Sequence, residues 1–295
     1  MLKMFRLASV ASLVLAIVVM GAGAAAAAEA HHGQSGTCTG TLTAPGVLAG
    51  TFRGDVVITG VCAVNGGAAV IKGDLILAPG SVLNAQFAHN DVAGTGASSL
   101  TVRGDVKVRN GATLAMGCEP AFSPCLDDST ATGQNRVSGD VRADHALGVL
   151  LHASKIGGNV SLRGGGGGVT CNIPSSGIFG FIGSPVFSDA EDNNIGGNLA
   201  ITHLRTCWMG ALRNRVQGNI FTAHNKMADS DANEVLANHV RGSIACFSNR
   251  PATQYGDSMS SPNRVHGQAF GECSFKVRKP NPAPSGPLAP ISVKV

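Results

Sequence analysis

Short runs in which apolar and polar residues alternate recur along this chain, each centred on a glycine. Nine of them align: TFRGDVVI, VIKGDLIL, TVRGDVKV, RVSGDVRA, KIGGNVSL, NIGGNLAI, RVQGNIFT, HVRGSIAC and RVHGQAFG. Their anchors are Gly54, Gly73, Gly104, Gly139, Gly158, Gly197, Gly218, Gly242 and Gly267. Two positions before the anchor the residue is Phe, Ile or Val in every copy. Two positions after it the residue is Val, Leu or Ile, except for Ala269 in the last copy. Alternation with period two describes a strand with one buried face. Each run is too short to bury that face alone, so neighbouring copies must stack to close a core. The shortest anchor spacing is 19 residues, as from Gly54 to Gly73, and the longest is 39, from Gly158 to Gly197. The short spacing is about one coil of a parallel β-helix. The longer ones are coils carrying loop insertions, which in solenoids gather on one face. The expected fold is therefore all-β, a parallel β-solenoid of about nine coils. The anchor glycine marks a bend or a close backbone approach, and the Asp or Asn after it suits a turn.

A second regularity lies four positions before the anchor, where Asn135, Asn193, Asn214, Asn238 and Asn263 stand. Stacked coils would align them into a ladder of amides. The alternative is that Asn simply favours turns there.

The ends set the compartment. Residues 1–30 carry Lys3 and Arg6, an apolar run from Leu7 to Met20 and an Ala-rich stretch ending at Ala30, the pattern of a secretory signal peptide. The solenoid is assigned to 31–278 and a Pro-rich tail to 279–295. The expected destination is outside the cell, with no membrane span after removal of the signal. All eight cysteines follow residue 30. An even count in an exported chain favours disulfides, and the spacings fit no zinc pattern. The repeat register pairs Cys246 with Cys273 and suggests Cys171–Cys207 and Cys38–Cys62, and Cys118–Cys125 would close the small loop CEPAFSPC, together one of 105 possible connectivities. The chain has 22 basic and 18 acidic residues, and removal of Lys3, Arg6 and Glu29 leaves a net charge of about +3. That is too small to argue for nucleic acid. Aromatic residues are only 4% and glycines 40, which suits narrow stacked coils better than a globular core.

The repeat resembles those of right-handed parallel β-helices. Locally, in its short coils of alternating Val, Ile and Gly, it also resembles bactofilins, the bacterial polymer-forming scaffold proteins. The first resemblance implies right-handed winding and the second a capacity for self-assembly. Bactofilins act inside the cell, so the signal peptide argues against transfer of their role. The segments CTGTLTAPGVLAGTFRGDVVITGVCAVN, LTVRGDVKVRNGATLAMGCEP and MADSDANEV are similar to exported bacterial proteins of unknown function, a likeness that brings no activity with it.

Candidate chemistry falls into two sets. Acidic residues in the insertions, Asp189, Glu191, Asp192, Asp229, Asp231 and Asp257, could converge along one edge and hold a hard cation such as Ca²⁺. The alternative is solvated polar loops. Basic residues recur three before the anchor, as Arg215, His239 and Arg264, and directly before it, as Arg241 and His266. Both positions face outward, so stacking would make a basic stripe for an anionic glycan or cell-wall polymer. In the first four copies Asp55, Asp74, Asp105 and Asp140 follow the anchor and could neutralise neighbouring bases. The later copies have no acid there. The run Gly164 to Gly168 lacks the Lys-Ser/Thr of a phosphate loop and reads as a flexible turn. Ile178 to Phe187 reads as a loop folded back over the solenoid. No cofactor motif and no HExxH or GxSxG element is present. The expected protein is a structural or binding solenoid without enzymatic activity. The alternatives are a carboxylate-dependent enzyme acting on polysaccharides and a self-assembling scaffold, with the oligomeric state left open.

Overall fold

The computed structural model describes residues 35–254 and 261–275. The expected signal segment 1–30, the tail 279–295 and Asp257 lie outside the described residues. Three parallel sheets run the length of the molecule, with 10, 8 and 9 strands. Each coil passes through them in the same order. In the first coil these are Gly36–Cys38 in the first sheet, Gly46–Val47 in the second and Gly50–Phe52 in the third. Each anchor glycine joins the third sheet to the first. The first sheet holds one strand more than there are anchors because Gly36–Cys38 precedes Gly54. The fold is a parallel β-solenoid.

The alternating residues point inward as their period requires. In the first sheet Val56, Leu75, Val106, Val141, Val160, Leu199, Ile220 and Ile244 form one continuous inner column, all of them buried. The residues two before each anchor, from Phe52 to Val240, make the matching column of the third sheet. Burying one such side chain stabilises by roughly 1.5–3 kcal/mol.

The anchors are glycines because of a close approach. Each turn sits directly on the one before it, with the Gly104 N–H donating to the Gly73 carbonyl at 3.0 Å. A Cβ on Gly104 would lie 2.6 Å from that same carbonyl oxygen. The residue after the anchor does more than favour a turn. Its side-chain oxygen accepts the backbone N–H of its counterpart on the next coil. This runs from Asp55 to Asp74 (2.8 Å), Asp105 (2.8 Å), Asp140 (2.9 Å) and Asn159 (2.7 Å), and on to Asn198, Asn219 and Ser243.

The buried Asn ladder is present at the corner between the second and third sheets. The amides of Asn193, Asn214, Asn238 and Asn263 bond to one another in series, whereas Asn135 stands outside the series, accepting from the Leu100 N–H and donating to the Ala85 carbonyl. Each Nδ2 also donates to a backbone carbonyl of the strand before it. The residue preceding three of the four ladder positions, Asp192, Arg213 or Ala237, has φ between 55° and 57° and so makes the corner. A second ladder, Asn225 to Asn249, lies at the opposite corner.

The cysteines pair as 38–62, 118–125, 171–207 and 246–273, the connectivity expected from the sequence. The insertions 86–98, 117–133 and 164–186 all border the second sheet and roof its outer face. In the third of them the helix Gly177–Phe181 buries Phe179 against Phe187, whose ring in turn meets Trp208 edge-on. The five glycines before it are not a flexible turn. All five have φ between 64° and 103°, and four of them are bonded to the coils on either side, among them Gly166 N–H to the Ala146 carbonyl and Gly168 N–H to that of Arg205. The left-handed backbone and the tight fit, which only glycine allows, explain the run. Among the described residues no helix is long and apolar enough to cross a membrane.

Candidate functional site

The third sheet presents the basic residues outward in register. Arg136 pairs with Lys155, Lys155 with Asn194, Asn194 with Arg215, Arg215 with His239 and His239 with Arg264. Arg241 and His266 stack alongside, their N–H groups donating to Val216 and Val240 at 2.9 Å each. The five residues Arg215, His239, Arg241, Arg264 and His266 thus share one exposed face on three successive coils. Adjacent coils are about 4.8 Å apart, so the cations repel. Burial first, then the charges of Arg264, Arg215 and His266, hold His239 below the usual imidazole range. Among the described residues none of the five lies within ion-pair distance of a carboxylate.

The N-terminal coils differ, and not in the way expected. The anchor-following aspartates do not balance the third-sheet bases. They pair instead with the first sheet: Lys107 Nζ donates to Asp74, and Arg142 donates to Asp140 with Asp105 at 3.9 Å. The Lys107 hydrogen bond first, then the Asp105 backbone N–H, holds Asp74 below the usual carboxylate range. The reason is geometric: one carboxylate oxygen is committed to the ladder, and the other leans toward the strand that follows.

Of the acidic candidates, Asp189, Glu191 and Asp192 come together on the second sheet and its corner. His152, Arg213 and Glu119 join them. His152 stands in register with Glu191 on the next strand, and its Nε2 lies 2.9 Å from Asp189 Oδ1. Arg213 donates to Glu191 at 2.8 Å and through Nε to both oxygens of Asp192. The Phe122 ring covers the guanidinium at 3.7 Å. Asp189, Glu191 and His152 are all buried beneath the insertions. Burial alone would depress His152, but the charge and hydrogen bond of Asp189 outweigh it and raise the imidazole to about 9. Burial, then the Asp189 charge, pushes Glu191 up to about 7. Burial and the neighbouring Asp192 also raise Glu119. The Gln86 amide faces His152 Nδ1 at 3.4 Å and leaves its own Oε1 buried without a partner. Turning that amide over gives the second imidazolium N–H an acceptor.

Asp229 and Asp231 shape their own turn, the Asp231 N–H donating to Asp229 Oδ1 at 3.0 Å. Among the described residues no group of three or more His, Cys, Asp and Glu is placed to hold a metal ion. His152, Glu119 and Arg213 were not singled out from the sequence. The partner of His152 lies 37 residues away, across an insertion, and Asp192, the neighbour of Glu119, lies farther still along the chain, so no short-range spacing reveals them.

Comparison of the chain with models of known protein families, with curated proteins and with solved structures finds no match. The likeness to bactofilins therefore rests on the repeat alone.

Proposed function

We propose that this protein is an exported solenoid without enzymatic activity that binds an anionic polymer, an acidic glycan or cell-wall polymer, lengthwise along its third sheet. The observation that carries this is the in-register column Arg215–His239–Arg264 with Arg241 and His266 beside it. The backbone register sets the spacing of these cations at one coil, so a polyanion meets them at a constant repeat. The four disulfides fit an oxidising compartment, in keeping with the signal pattern at 1–30. Affinity electrophoresis against teichoic acid, dextran sulfate and neutral dextran tests the reading. Binding to the two polyanions should weaken with salt and fall at least about tenfold in Arg215→Ala/Arg241→Ala/Arg264→Ala, by the loss of several charge contacts. Equal retardation by dextran, or an undiminished triple variant, would overturn it.

A polysaccharide-cleaving enzyme is the second reading. The gathering of Glu119, Asp189, Glu191 and Asp192 around Arg213 and His152 favours it. Their burial and mutual pairing weigh against it. Cleavage of an acidic glycan that disappears in Asp189→Asn would establish this reading, and absence of turnover across a glycan panel, with and without Ca²⁺, would remove it.

A further inference from the structure

The C-terminal coils carry a second outward surface, built from residues that no repeat position had marked. Phe221, Phe247 and Phe270 are 40%, 42% and 43% exposed on the outer face of the first sheet. Phe221 and Phe270 stand in one column with Ala245 between them. Phe247 lies on the middle strand, its ring centroid 6.5 Å from that of Phe221. The small Ala245 leaves a step between the rings.

Where the first sheet ends, the chain turns at His203 and His224, with φ of 60° and 58°. Their ring centroids lie 5.1 Å apart, with the planes tilted by 36°. Two residues further on, Arg205 pairs in register with Lys226, and Lys226 bridges Arg250. All five of these side chains belong to exposed residues. The residues between them, Leu204, Asn225 and Asn249, are buried, and the second Asn ladder bonds them coil to coil. The cations are therefore held at one per coil, about 4.8 Å apart, beside a stepped aromatic face.

A contiguous exposed apolar patch rimmed by polar residues marks a ligand or partner site. A ligand that fits must offer both an apolar face and regularly spaced negative charge. A uronic acid does so: its C–H face lies on an aromatic ring, and its carboxylate accepts from Arg or Lys. One coil is about the length of one sugar in an extended chain, so successive sugars meet successive coils. We propose that this surface binds a polyuronate chain lying along the solenoid axis. Its sugar faces rest on Phe221, Phe247 and Phe270, its carboxylates meet Arg205, Lys226 and Arg250, and its hydroxyls meet the rings of His203 and His224. The third-sheet stripe has no outward Phe, Tyr or Trp among its in-register residues Arg215, His239 and Arg264 and selects by charge, so the two surfaces are independent in chemistry and in test.

Titration calorimetry of the full chain with polymannuronate oligosaccharides, the same oligosaccharides after carboxyl reduction, and polyphosphate separates the possibilities. The expected result is binding of the uronate oligosaccharide, at least tenfold weaker binding after carboxyl reduction, and at least tenfold weaker binding in Phe221→Ala/Phe247→Ala. Polyphosphate binding should be unchanged in that aromatic variant. Arg205→Ala/Lys226→Ala/Arg250→Ala should lose uronate binding, whereas Arg215→Ala/Arg264→Ala should keep it. The single variant Phe221→Ala, whose thermal midpoint is checked first, keeps the test valid if the double variant misfolds. Uronate binding that survives loss of the aromatic rings, or that disappears only with Arg215 and Arg264, would overturn the proposal. So would no binding at all.

Discussion

Asn214 has no exposed surface, and each atom of its amide is engaged: Nδ2 donates to the Ala190 carbonyl at 2.7 Å and to Asn238 Oδ1, while Oδ1 accepts from Asn193. Removing it strands a buried carbonyl and a buried N–H on neighbouring coils. Asn214→Ala should destabilise by about 2–4 kcal/mol, read as a drop in the urea midpoint, and a loss below 0.5 kcal/mol would contradict the ladder's role. This ladder was legible in the sequence because its offset from the anchor is constant. The second one was not, since Asn225 and Asn249 occupy only two coils and two copies do not make a pattern. The glycine run was legible only as composition. A Cβ on Gly165 would run into the Ala146 carbonyl, and its φ of 83° disfavours any L side chain. Gly165→Ala should therefore cost about 1–3 kcal/mol, whereas a flexible turn would tolerate it. Circular-dichroism melting distinguishes these outcomes.

The three sheets were not equally readable. The first and third flank the anchor within five residues on either side, so their inward and outward columns follow directly from the alignment. The second sheet lies across the insertions, and there the count from the anchor fails. The buried cluster of His152, Asp189, Glu191 and Arg213 is the part that was hidden for this reason. It makes the second sheet pH-sensitive. His152 is raised from 6.5 to about 9, so the stability it contributes is full below pH 6.5 and is lost as pH rises through 9. Glu191 is raised from 4.5 to about 7, so its contribution is present below pH 4.5 and is lost as pH rises through 7. Both slopes have the same sign. The urea midpoint should fall between pH 6 and pH 9, by an amount of order 1–3 kcal/mol in stability. His152→Gln should flatten that fall. A midpoint that rises over this range would show that the buried pair is wrongly assigned.

On the scale of the whole molecule, nine anchors predict the coil count, and the ends are where the repeat runs out. The last coil is closed by Glu272, whose carboxylate accepts from the backbone and side chain of Asn249 and from those of Thr253, at 2.8–3.1 Å. It takes the place that a further Asn would hold in the ladder. Stacking of a second copy onto this end would have to displace it, so sedimentation of the wild type should show a monomer across concentrations, and Glu272→Ala is the variant to watch for association. Two disulfides also stand at the ends. Cys38–Cys62 joins the first described coil to the second, and Cys246–Cys273 joins the last two. Their consequence is mechanical. A stack whose coils are held by hydrogen bonds parallel to its axis peels open under tension from a terminus, one coil at a time, because each bond row is loaded in turn. Covalent clasps on the outermost coils remove the loose end from which peeling starts. Pulled by its termini in an optical trap, the oxidised protein should resist to a single high-force rupture, while the reduced protein should yield in a staircase of small steps.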